Sequence, residues 1–109
     1  MKILFLDQNL FGATRVESNL KHHGHTVVVC STLEAGDYDC VLWNFGNPKW
    51  TPDNIIPAVE EALNQFPDAK FLGFCGHREV DKWKSAQSAG VRMASNDAMM
   101  SDAGTQLDK

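Results

Sequence analysis

Residues 2–7 read Lys2-Ile3-Leu4-Phe5-Leu6-Asp7: four apolar residues without polar alternation, closed by a carboxylate. A strand wetted on one face alternates apolar and polar positions, so so short an unbroken run predicts a strand buried on both faces that leaves the sheet at Asp7. The signature recurs at Thr26–Cys30 around Val27-Val28-Val29 and at 40–45 around Val41-Leu42-Trp43, with Asn44 where the chain exits. It returns at 71–75 and, more weakly, at 91–94. β-branched and aromatic residues dominate these runs, as strands prefer.

Between the strands the apolar spacing becomes helical. Ala13, Val16 and Leu20 mark a helix over 10–23, with Gly24 in place to end it in the left-handed conformation. Thr51 before Pro52 and Asp53 predicts an N-cap and first turn, followed by an apolar face of Ile55, Ile56, Val59, Leu63 and Phe66 that Pro67 stops. Pro57 should delay that helix or kink its beginning. Val80, Trp83 and Ala86 mark a polar helix over 78–89 stopped by Gly90, and Asn96 is placed to cap a short last helix through Leu107. Only residues 31–39 separate strands two and three, so the second helix should be stunted to one turn around Leu33 and Glu34. The expected architecture is α/β: a doubly wound, five-stranded parallel sheet formed by residues 1–109 as one domain. In such sheets chemistry gathers at the carboxyl ends of the strands, here Asp7, Asn44, Cys75 and Ser95.

Composition narrows the function. Of 109 residues, 43% are apolar and 22% charged, the balance of a folded globular chain. Ten Lys and Arg against fourteen Asp and Glu leave a net charge of −4, which argues against nucleic acid or anionic lipid as a partner. The longest apolar runs are far too short to span a membrane. Three cysteines, Cys30, Cys40 and Cys75, form no C-x-x-C pair, so free thiols in a reducing, cytoplasmic compartment are expected. If the first strand stands between the second and third, a Cys30–Cys40 disulfide conflicts with the fold, because those residues would then lie at opposite ends of separated strands.

The sequence resembles the receiver domain of bacterial two-component response regulators. Lys2 to Gln8 looks like that family's first strand, which ends in two acidic residues, and Leu20 to Val27 is similar to its first helix end and turn. Tyr38 to Asn44 followed by Pro48 resembles its third strand, phosphoacceptor and following proline. Phe71 to Gly76 looks like its fourth strand with the hydroxyl residue, and Ala89-Gly90-Val91 is similar to the turn before strand five. The resemblance implies a flavodoxin-like (CheY-like) sheet of order 2-1-3-4-5. It also locates departures. Asn44 stands where the family has its phosphoacceptor aspartate, and an amide cannot form an acyl phosphate. Of the acidic positions that hold magnesium, Asp7 remains while Gln8 is neutral. Cys75 replaces the hydroxyl residue, and the family's lysine falls at Asn96 or Asp97. The implied protein is a pseudo-receiver, not an enzyme, with no metal or cofactor, working through a protein partner or as a homodimer.

Other readings compete. Cys75 and His77 could form a thiolate–imidazole nucleophile, against which stands the absence of a C-x5-R loop or an orienting third group. The loop from Asp7 to Thr14 could bind phosphate or another small molecule at a helix start, supported only by Gly12 and Thr14. His22, His23 and His25 could hold a metal, but no cysteine or carboxylate joins them at ligand spacing. Trp43 reads as core, whereas Trp50 on its loop and Trp83 on its helix could anchor an interface.

Overall fold

Side-chain alternation along two-sided strands divides the interior into two cores. The computed structural model describes residues 1–109. Five parallel strands, β1 (Lys2–Leu6), β2 (Thr26–Cys30), β3 (Cys40–Asn44), β4 (Lys70–Cys75) and β5 (Arg92–Ser95), stand in the order β2-β1-β3-β4-β5. The helices are α1 (Thr14–His22), α2 (Pro52–Gln65), α3 (Val80–Ala89) and α4 (Asn96–Asp108). Ile3, Phe5, Leu42, Leu72 and Phe74 face Val16 and Leu20 of α1 and Met99, Ala103 and Leu107 of α4. Leu4, Leu6, Val41, Trp43 and Phe71 face Ile55, Val59 and Ala62 of α2 and Ala86 of α3. Both faces of β1 and β3 are therefore dry, which is why their sequences show no alternation. Pairing of Ile3 with Cys40 and of Leu6 with Cys30 puts these two cysteines at opposite ends of β1, and both are free thiols.

Three expectations about the helices change. α1 begins at Thr14, not at residue 10, because the preceding segment closes on itself: Gly12 N donates to Asn9 Oδ1 (3.1 Å) and Ala13 N to Asn9 O (3.1 Å). That leaves Phe11 94% exposed. α2 begins at Pro52 without delay and continues through Pro57. A reciprocal cap fixes its start, with Asn54 N donating to Thr51 Oγ1 and Thr51 N to Asn54 Oδ1. Pro57 and Asp53, whose carbonyl loses its helical partner, are both exposed, so that carbonyl is left open to solvent. Between β2 and β3 no helix forms at all, and the turn expected around Leu33 and Glu34 is absent. The segment must step across β1, which exhausts its length; Leu33 and Tyr38 pack on the α2-side core instead, and Asp39 N donates to Lys2 O at 2.8 Å.

α4 is broken at Asp102 (φ −161°, ψ 88°). The break aims Asp102 Oδ1 at Thr105 N (3.2 Å), recapping the second half, and pairs it with His23 Nε2 (3.0 Å). Asn19 Oδ1 of α1 accepts from Gly104 N at 2.9 Å, and a Cβ on Gly104 would lie 2.4 Å from the His23 ring. Hydrogen bonds from Thr105, then the His23 charge, hold the Asp102 carboxyl below its ordinary 3.8. A lowered carboxyl pKa stabilises the fold above the ordinary value, and this contribution fades as pH falls through the folded-state value. Asp102→Asn should therefore be less stable at neutral pH, with a shallower loss on acidification. Urea midpoints from neutrality to about pH 3 check this, and curves parallel to the unsubstituted chain would refute it.

Candidate functional site

Parallel strands deliver their following loops to one edge of the sheet, and that edge carries a polar cleft of about 220 Å³ lined by Asp7, Asn9, Asn44, Gly46, Asn47, Pro48 and Asn96. Asp7, directly after β1, is 3% exposed, the one charged residue among the buried set. Its carboxylate is occupied by the protein: Asn44 Nδ2 donates to Oδ2 at 3.0 Å and Asn9 N donates to Oδ1 at 2.8 Å. Asn44 is engaged at both ends, since its Oδ1 accepts from Gly46 N at 2.8 Å. A single carboxylate already accepting two N–H donors offers a hard divalent cation little, because such ions want several anionic oxygens. Asn96 completes the wall, its Oδ1 buried without a partner.

Three of the candidate residues lie outside this cleft. Gln8 turns away, donating from Nε2 to Ser31 O at 2.6 Å, and Asp97 is exposed on the first turn of α4. Cys75 is fully buried in the α2-side core; desolvation pushes its thiol up to about 11, so it is protonated at neutral pH and a poor nucleophile. His77 lines a separate hollow with Val80, Trp83 and Ser95.

The expectation of Trp50 as an exposed anchor is overturned. The ring is 8% exposed because its loop folds back and sets it edge-on against Trp43 (5.3 Å between centroids, 80°) and Phe45 (5.9 Å, 87°). Trp83 is half-buried against the same core. The prominent apolar exposure belongs to Phe11 and its neighbour Leu10. The loop carrying them does not resemble a phosphate cradle, since the amides of Asn9, Gly12, Ala13 and Thr14 already donate within it. The histidines do not converge: His23 bonds Asp102, His25 Nδ1 meets the Met1 amino group, and no three His, Cys, Asp or Glu side chains anywhere gather as metal ligands. No helix is long and apolar enough to cross a membrane.

Two residues of this edge escaped the sequence reading. Lys82 on α3 is only 13% exposed, and its Nζ donates to Phe45 O (3.0 Å), Asn47 O (3.3 Å) and Glu79 Oε1 (2.8 Å). Glu79 Oε2 in turn accepts from Gly76 N at 2.8 Å. The pair clamps the loop after β3 to the loop after β4. Glu79 and Lys82 at i, i+3 look like any solvated helix pair; nothing local announces the two backbone carbonyls that Lys82 meets. Lys82→Met should cost about 2 kcal/mol, since two carbonyls and a carboxylate lose a charged donor. It should also speed hydrogen exchange at Gly46 N, and unchanged exchange there would refute the clamp.

No family model matches the sequence, and no curated protein does. Solved structures do match. A response regulator receiver domain from Clostridium thermocellum aligns with TM-score 0.77 at 17% identity, over 98% of this chain and 90% of its own. The receiver domain of a sensor histidine kinase from Pseudomonas aeruginosa, which carries a magnesium ion in its active-site cleft, aligns with TM-score 0.69 at 17% identity, over 87% and 84%. An adenylate cyclase from Rhodopirellula baltica aligns with TM-score 0.76 at 16% identity, over 98% and 84%. At these identities the likeness shows the fold, which is that of receiver domains, and not the activity.

Proposed function

We propose that this chain is a signalling domain of receiver architecture that takes no phosphoryl group and acts through protein contacts. The observation that carries this reading is the Asn44 Nδ2 to Asp7 Oδ2 hydrogen bond: the side chain at the phosphoacceptor position is an amide already spent on the remaining acid. With Gln8 bonded to the Ser31 carbonyl, no second carboxylate faces the cleft. The neutral, buried thiol of Cys75 supports a non-enzymatic role. The free cysteines fit a reducing compartment.

The test is exposure to a small phosphodonor, or to beryllofluoride, with millimolar magnesium. Expected are no gain in mass and no rise in melting temperature, since only binding to the native state raises it. A stable phospho-adduct or a clear thermal shift would overturn the reading. The contact surface is taken to include Phe11 and Leu10, which replace Trp50 as exposed anchors. A second copy is the first partner to test: sedimentation should show a concentration-dependent dimer that Phe11→Ser weakens.

A further inference from the structure

A sheet built in the order β2-β1-β3-β4-β5 leaves β2 and β5 each with one unpaired side. On β2 the open groups can be located. Thr26 N donates to Met1 O at 3.0 Å and Asp7 N donates to Cys30 O at 2.9 Å, so residues 26, 28 and 30 turn their backbone to β1. Alternation then turns the N–H and C=O of Val27 and Val29 away from the sheet. The row stops at both ends on groups already spent: His25 N donates to Leu20 O at 3.1 Å, and Ser31 O accepts from Gln8 Nε2 at 2.6 Å. Val27 and Val29 alone make up the open ladder.

We infer that this edge pairs with the same edge of a second copy, antiparallel about a two-fold axis, so that one sheet runs through both. Such a pairing needs a second copy as partner, as proposed above, but neither Phe11 nor the Asp7 cleft. An axis beside Val28 sets Val27 against Val29 of the second copy and Val29 against its Val27, each pair exchanging both N–H···O bonds. Val28 then meets Val28 of the second copy as the close, non-hydrogen-bonded pair. A register two residues either way keeps only one pair whole, because it sets a valine against His25 or Ser31, whose groups are spent. The palindrome Val27-Val28-Val29 makes the edge its own complement, which singles out a second copy over a foreign strand. The usual guards against edge pairing are missing: Thr26 to Leu33 holds no charge and no proline. No helix follows β2 to lie over the α2 side, and Val28 and Cys30 stay partly exposed there. β5, by contrast, has only four residues and carries the charge of Arg92.

Hydrogen exchange on the unsubstituted chain tests this beside sedimentation. In dilute solution the amides of Val27 and Val29 should exchange freely while those of Thr26, Val28 and Cys30 are protected. Raising the concentration should slow Val27 and Val29 together, by about tenfold once about nine-tenths of the chain is paired. Val28→Lys should weaken self-association about tenfold, because two like charges would meet at the axis, and Val28→Glu should do the same. An equimolar mixture of those two variants should associate again. A dimer in which Val27 and Val29 still exchange freely would overturn the edge pairing and leave the Phe11 contact standing. A chain that stays monomeric at every concentration would overturn both, and protection of these amides only on adding another protein would give the edge to a foreign strand. Folded Val28→Lys and Val28→Glu variants that each associate as the parent does would likewise refute the pairing.

Discussion

Asn44→Asp is expected to lose on the order of 3 kcal/mol of stability at neutral pH and still to accept no phosphoryl group. The amide nitrogen that now donates to Asp7 Oδ2 at 3.0 Å would become an oxygen, turning a hydrogen bond into contact between two carboxylates. Like charges this close cannot both ionise cheaply, so one carboxyl of the pair is driven upward by the repulsion of the other. The sign follows from linkage. A carboxyl raised in the folded state leaves the variant most stable below the ordinary carboxylate range, with stability falling as pH rises through the raised value. Urea unfolding should therefore show a deficit that is small near about pH 4 and full by about pH 7. Labelling by a phosphodonor should remain absent, because the added acid brings neither a second facing carboxylate in place of Gln8 nor a lysine in place of Asn96. A deficit independent of pH would place the damage elsewhere, and efficient labelling would show that the departures at Gln8, Cys75 and Asn96 do not matter.

Gly73→Val is expected to cost about 3 kcal/mol, at the upper end of overpacking penalties, although valine is the better strand former. Gly73 lies on the interior strand β4, paired with Trp43 on one side and Met93 on the other. A Cβ there would stand 2.7 Å from Met93 Sδ and 2.7 Å from Phe45 Cε2. Met93 is flexible and can retreat. Phe45 cannot, since it stacks on Trp43 at 5.0 Å and meets Trp50 edge-on, and its carbonyl is held by Lys82. The glycine leaves the space that this aromatic cluster fills. Gly73→Ala should fall between the wild-type residue and valine, and the indole resonances of Trp43 and Trp50 should move in both variants while Trp83 does not. A valine variant as stable as the parent would mean that the ring has room the packing denies.

Much of the fold was legible because it rests on short-range rules. Two-sided burial writes unbroken apolar runs, so all five strands were placed within a residue or two, and the caps at Thr51 and Gly90 marked where helices start and stop. Strand order came from family resemblance rather than from periodicity. The misreadings have a common origin. The start of α1 was drawn too early because Leu10 and Phe11 extend its apolar pattern, whereas Asn9 closes a competing turn. A helical turn was expected at 31–39 because crossovers usually carry one, while the actual segment packs through Leu33 and Tyr38 without it.

The sequence by itself determined the α/β layering and the placement of Asp7 and Asn44 at the carboxyl edge of the sheet, because both are matters of residue type at positions the strand pattern locates. Only the tertiary structure decided that Trp50 turns inward while Phe11 faces water, that Gln8 leaves the cleft, and that Lys82 locks the loop after β3. Those outcomes depend on pairs such as Phe45 and Lys82, 37 residues apart, whose meeting is fixed by the packing of whole elements and leaves no trace in local spacing.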